Sequence, residues 1–148
     1  MGLYFEEFKV GETIHTESRT VSDNDIMTFA SLTGDNNRIH TDEEFSKAGP
    51  FGRRVAHGLL GLSIAVGLAW KTGILDGTVI AFREISDWKF IKPVYLGDAV
   101  HADLHVVETK ALPRIGGGSV VLNAQLLNEQ DEICMRGSLT LLVLSKPK

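Results

Sequence analysis

The segment from Gly58 to Thr72 constrains the fold most. It reads Gly-Leu-Leu-Gly-Leu-Ser-Ile-Ala-Val-Gly-Leu-Ala-Trp-Lys-Thr and stops at Gly73. As a helix it is apolar around nearly its whole circumference, and such a helix has to be buried on all sides. Gly61 and Gly67 would let other backbone approach it closely. The chain has 148 residues, enough for one domain with a sizeable core. In so short a chain, only a sheet curling around the helix can cover it.

The rest of the sequence supplies that sheet. Segments near 78–92, 99–110, 118–128 and 133–144 are strand-like, and residues 12–21 read as a weaker strand. Val100, Ala102, Leu104 and Val106 alternate with His101, Asp103 and His105, while Ile133, Met135, Leu139, Leu141 and Val143 share another alternating face. The connections are short and hold no crossover helix, which implies antiparallel pairing. Pro93 suits a strand end or an edge. Gly116-Gly117-Gly118 lacks the Lys-Ser/Thr of a phosphate loop and reads as a hairpin turn. The expected class is α+β: one domain over residues 1–148, a curved antiparallel sheet wrapped around a long central helix.

Upstream of the apolar helix, Ser22 is placed to cap a helix whose first turn carries Asp23 and Asp25, where acidic groups meet the positive helix end. Ile26, Phe29, Ala30 and Thr33 share one face, and Gly34 is a natural stop. Thr41 and Glu44 have the spacing of a capping box for a second helix that ends before Gly49-Pro50. The intervening loop is Gly34-Asp35-Asn36-Asn37-Arg38-Ile39-His40. A carboxylate and an imidazole on one short loop can converge on a single water. An imidazole with a reference pKa of about 6.5 accepts and returns a proton near neutrality. Spacing alone leaves open an Asx-turn aspartate beside a surface histidine. Gly58 opens the apolar helix, where N–H groups lack internal partners and the dipole adds positive charge. A carbonyl placed there is polarised as negative charge develops.

Other features narrow the function. Lys plus Arg is 15 against 19 Asp plus Glu, a net charge of -4, which argues against a broad nucleic-acid surface. Cys134 is the single cysteine, so no intrachain disulfide forms, and it reads as core. Val55–Trp70 is interrupted by His57 and Ser63 and is short for a bilayer span. The N-terminus lacks a secretory pattern, so a cytoplasmic location is expected. His101 and His105 lie about 13 Å apart along a strand, too far for one metal ion.

Three stretches carry a resemblance. Leu32-Thr33-Gly34-Asp35-Asn36-Asn37-Arg38-Ile39-His40 followed by Ser46, Val55-Ala56-His57-Gly58-Leu59-Leu60-Gly61-Leu62-Ser63, and Trp88 through Asp98 resemble the MaoC-like dehydratases and (R)-specific enoyl-CoA hydratases over nearly the full length. Arg38 stands where that family's pattern usually has Pro. The resemblance implies a hot-dog fold and a hydro-lyase acting on a thioester of coenzyme A or acyl carrier protein. It implies Asp35 and His40 as the acid–base pair, Gly58 as the carbonyl-binding residue and Ser63 as a support for Asp35, against a hydroxyl bonded to its own helix. Asn37 is expected to orient the loop, with plain turn chemistry as the alternative. Arg53 and Arg54 are candidates for coenzyme A phosphates, a solvated face being the alternative, and His57 reads as structural. No metal and no redox cofactor is expected, and the partner is an acyl thioester. Side-by-side joining of two sheets implies a homodimer or a larger homo-oligomer. A hot-dog thioesterase and a non-catalytic acyl-CoA-binding domain are the rival functions.

Overall fold

The structure is a computed structural model that describes residues 1–148. Its elements, in chain order, are β1 (Thr13–His15), β2 (Arg19–Thr20), α1 (Asp23–Thr33), α2 (Arg38–Thr41), α3 (Glu43–Ala48), α4 (Gly58–Lys71), β3 (Val79–Phe90), β4 (Ala99–Leu112), β5 (Gly117–Leu127) and β6 (Ile133–Leu144). The strands form an antiparallel sheet in the order β1-β4-β5-β6-β3, with β2 pairing β4 beside β1. Strands β3 and β4 are consecutive in sequence yet lie apart, because β3 pairs with β6 at the far edge. No helix is long and apolar enough to cross a membrane.

The sheet packs on α4 through the alternation visible in the sequence. Val100, Ala102 and Leu104 of β4 are fully buried, as are Leu126 and Cys134 on β5 and β6. All but Leu104 meet Leu60, Ile64, Ala65 and Leu68 of α4 in one core that also takes in Val21 and Ile26, while Leu104 packs with Ala69 of α4 in an adjoining cluster. Each such leucine or isoleucine removed from water stabilises the fold by roughly 1.5–3 kcal/mol. At Gly61 the flexible tip of Met135 occupies the space a side chain would take, its Cε 2.5 Å from where a Cβ would sit. Gly67 has no such neighbour, since nothing lies within 4 Å of where its Cβ would be.

The expectation that α4 is covered on all sides is corrected by one stripe. Leu59 and Trp70 are 62% and 57% exposed, and Ser63 and Gly67 between them are also open. The sheet holds one side and α1 packs near the other through Ile26 and Phe29, leaving this row uncovered in a single chain.

The N-terminal region follows its capping residues. Ser22 Oγ accepts the Asp25 N–H and Asp25 accepts the Ser22 N–H in return. Gly34, at φ 83°, closes α1 in the left-handed conformation that favours glycine. The capping box expected at Thr41 and Glu44 is absent. Asp42 caps α3 instead, its Oδ1 accepting from Phe45 N–H at 3.0 Å, because Thr41 already belongs to α2. Arg38 opens α2 and forms an ion pair one turn on with Asp42 at 3.0 Å. The triple glycine divides its roles: Gly116 makes the turn and Gly117 and Gly118 begin β5.

Candidate active site

The loop after α1 brings Asp35 and His40 to the N-terminal end of α4. Asn37 caps α2, its Oδ1 accepting from Ile39 N–H at 3.2 Å, and Asp35 Oδ1 accepts from Asn37 N–H at 3.3 Å. The turn chemistry of these two side chains folds the loop back within six residues, so that Asp35 stays exposed while His40 is only 8% exposed. His40 Nδ1 lies 2.8 Å from Val55 O. A carbonyl only accepts, so Nδ1 carries the proton and Nε2 is left with a free lone pair. Burial holds the His40 pKa below the ordinary 6.5; the bond to Val55 pulls it up, the neighbouring His57 pushes it down and the Asp35 charge pulls it up again.

Carboxylate and imidazole ligand atoms of Asp35, His40 and His57 lie within 4.8 Å of one another. Two hydrogen bonds of about 2.8 Å meeting tetrahedrally at a water oxygen span about 4.6 Å. That proximity lets two of these groups share one water. Beside these groups opens a cavity of about 640 Å³, within the range of small-ligand sites. Phe51, Leu59, Phe90, Ile91 and Met135 give it apolar walls, and Gly58 lies at its rim. Asp35, His40 and His57 line it together with the start of α4, and Lys92 adds a cation to the lining. A Cβ on Gly58 would lie 2.7 Å from the Phe90 ring, so glycine keeps this helix end open toward the cavity.

The family model of the MaoC like domain matches residues 6–124. The chain belongs to the MaoC-like dehydratase family. Over 101 residues it is 38% identical to protein MaoC of Klebsiella aerogenes, covering 68% of this chain and 30% of that protein. It is 32% identical to a 3-hydroxybutyryl-CoA dehydratase of Methylorubrum extorquens, covering 90% of this chain and 92% of the relative. An (R)-specific enoyl-CoA hydratase of Rhodospirillum rubrum is 31% identical, over 70% of this chain and 69% of that one. The crystal structure of a monoamine oxidase regulatory protein from Archaeoglobus superimposes with TM-score 0.89 at 37% identity, covering 99% of this chain and 97% of that one. The fold is the hot-dog fold.

Within this MaoC-like domain, the other residues singled out from sequence are placed unequally. Ser63 is not brought to Asp35. Its hydroxyl donates to Leu59 O at 2.8 Å, one turn back on its own helix, and it faces the groove beside Arg19 and Asn24. Arg54 does not face solvent either. Its side chain is 11% exposed, its NH1 pairs with Asp23 at 2.7 Å and its Nε donates to His40 O at 2.6 Å, so a phosphate would have to displace both. Arg53 is exposed, its guanidinium 3.8 Å over the Tyr95 ring. Sequence reasoning missed the cavity walls from the strand ends, Phe90, Ile91 and Met135. The signal for them was weak: Phe90 and Ile91 directly precede Lys92-Pro93, where a strand stops and its last side chains are free to face a ligand. It read His57 as structural, and the fold sets this residue beside Asp35 and His40 in the cavity lining.

Proposed function

We propose that this protein is an (R)-specific hydratase/dehydratase interconverting trans-2-enoyl and (R)-3-hydroxyacyl thioesters of coenzyme A or acyl carrier protein. The observation that carries the reading is the meeting of Asp35, the free Nε2 of His40 and the N-terminal end of α4 in the lining of an apolar cavity. The named activities of the Methylorubrum and Rhodospirillum relatives support it.

The chemistry balances with these groups alone. Asp35 and His40 hold one water. As its oxygen bonds to C3, His40 Nε2 takes a proton from it, and the C2–C3 electron pair moves onto the thioester carbonyl. Unpaired N–H groups at Gly58 stabilise that oxyanion, assisted by the helix dipole. The enolate then collapses and C2 takes a proton back from the pair, whose proton count is unchanged. Both additions come from the side where the pair lies, so the addition is syn. The cavity walls take the acyl chain, and Arg53, exposed over the Tyr95 ring, is the candidate for the phosphates of the carrier. The pair is complete without a metal or a redox cofactor, since proton transfer and carbonyl polarisation are all that the reaction requires.

The test is hydration of trans-2-enoyl-CoAs of varied chain length in deuterated water. The expected product is (R)-3-hydroxyacyl-CoA with the hydroxyl and the new deuterium syn. An (S) product, read with an (S)-specific dehydrogenase, would break the stereochemical assignment. Release of free thiol without hydration would identify a thioesterase instead. Binding of acyl-CoA without turnover would identify a non-catalytic domain.

A further inference from the structure

His57 is buried to 2% exposure at the start of α4, next to Gly58. Its Nε2 lies 2.9 Å from the backbone oxygen of Asp35. Because that oxygen only accepts, the proton sits on Nε2 and the bond is a donation from His57 to the Asp35 peptide. Its Nδ1 is buried with no hydrogen-bond partner, so this nitrogen holds a lone pair, not a proton that would need an acceptor. The His57 ring stacks on His40 with centroids 3.9 Å apart and planes at 27°. On its other side the Phe29 ring meets it edge-on at 4.8 Å. A residue needed only to fill space has no use for a polar ring with one nitrogen left unpaired, since burying such a group costs about 1–3 kcal/mol.

We propose that His57 is a positioning residue for the acid–base pair: its Nε2–H fixes the backbone from which the Asp35 carboxylate projects, and its face fixes the plane of the His40 imidazole. One side chain thereby sets both members of the pair, and sets them relative to the helix end that receives the carbonyl, because it is the residue before Gly58. Phe29 presses the ring against His40 and holds the stack closed. Asn37 also joins the two through the backbone, its N–H donating to Asp35 Oδ1 and its carbonyl accepting from His40 N–H, but it does not touch the His40 ring, whose Nδ1 is held by Val55 O and whose face is held by His57.

This inference rests on the reading of Asp35 and His40 as the acid–base pair, and three variants separate it from that reading. His57→Gln keeps an N–H at the reach of Nε2 and loses the ring. His57→Phe keeps a stacking ring and loses the N–H. His57→Leu loses both. With trans-2-enoyl-CoA as the probe, His57→Leu is expected to lose about 10²-fold in kcat per folded enzyme with KM changed less than about threefold, the scale of an approximately 1 Å misplacement of reacting groups. Gln and Phe are each expected to recover part of that loss. Circular dichroism and thermal melting give the folded fraction. If His57→Leu fails to fold, the Gln and Phe variants against wild type decide the matter. Nitrogen-15 NMR of histidine-labelled wild-type protein should show His57 as the Nε2–H tautomer. Wild-type kcat in the folded variants, losses that only follow the folded fraction, or an Nδ1–H tautomer would each overturn the proposal. If Asp35→Asn retains activity, the acid–base reading itself fails; if Asp35→Asn is inactive while all folded His57 variants are fully active, only the positioning role fails.

Discussion

Replacing Gly58 by alanine tests the helix-end carbonyl site with a single methyl group. The added Cβ would stand 2.7 Å from Phe90 Cε1 and 2.9 Å from Cδ1. Ordinary carbon contacts are about 3.5–4.0 Å, so the ring must retreat by about 1 Å. Phe90 is 56% exposed and can swing outward without opening a core cavity. The cost to folding is therefore small, and the better helix propensity of alanine, up to about 1 kcal/mol, offsets it. Melting temperature should stay within a few degrees of wild type. Catalysis should not. The methyl would stand beside the N–H groups proposed to receive the thioester carbonyl, and a shift of about 1 Å there is expected to reduce kcat/KM by about 10²-fold. Steady-state hydration of a short trans-2-enoyl-CoA, with a melt of the same preparation, measures both quantities. Full activity in a folded Gly58→Ala protein would show that no carbonyl docks at this helix end.

Other expectations concern the pair and its supports. Asp35→Asn and His40→Gln should each lower kcat by about 10²–10⁴-fold, or about 3–5 kcal/mol of barrier, with circular dichroism unchanged for Asp35→Asn; near-normal hydration would refute the acid–base role. Arg54→Ala should destabilise the fold by about 1–3 kcal/mol in denaturant titration, since it removes the donor to the His40 carbonyl and a largely buried side chain, whereas Arg53→Ala should leave stability unchanged and raise KM for coenzyme A esters alone. Because burial lowers the His40 pKa, the acidic limb of kcat/KM should fall below pH 6.5, and a limb above that value would contradict an unprotonated His40 as acceptor. The same shift bears on stability: between the folded value and 6.5 the unfolded chain binds the extra proton, so stability should decline as pH falls through that window and not above it. The edge strand β3 exposes Ile80, Phe82 and Ile85, each over 40%, so light scattering should report a homodimer, and a stable monomer at micromolar concentration would count against pairing through this edge.

The sheet and the central helix were legible because their patterns are long. Four strand segments were bounded within about two residues, since Val100 through Val106 and Ile133 through Val143 alternate over many positions and end at glycine or proline. The uncovered stripe of α4 was not legible, because Leu59 and Trp70 look as apolar in sequence as Leu60 and Leu68; only the path of the sheet distinguishes them. Asp35, His40 and Gly58 were singled out by their residue types at a loop and a helix start together with the family resemblance, and the fold brings all three to one cavity. Ser63 was misplaced because sequence does not say which way a helical hydroxyl turns, and the carbonyl one turn back is always within its reach. Arg54 and Arg53 are neighbours of the same type, and only tertiary structure shows that the first is locked to Asp23 and His40 while the second is open. His57 was read as structural, and its stack on His40, 17 positions away, was not legible because no local pattern encodes it.

The bonds of the site have a further consequence. Val55 N–H to Ile39 O, His40 to Val55 O, His57 to Asp35 O and Arg54 to His40 O all fall inside one stretch of chain, residues 35–58. The proposed acid, base and carbonyl seat, with the hydrogen bonds that hold them, thus lie in one stretch of chain. The cavity walls Phe90, Ile91 and Met135 come from the strands and their ends, more than 30 residues downstream. Substitutions there are expected to reshape what fits without removing any of those hydrogen bonds. Such a division lets a lineage retune its appetite for long, short or branched acyl groups while the reacting centre is held constant, and directed evolution of this protein for new substrates should concentrate on those three positions.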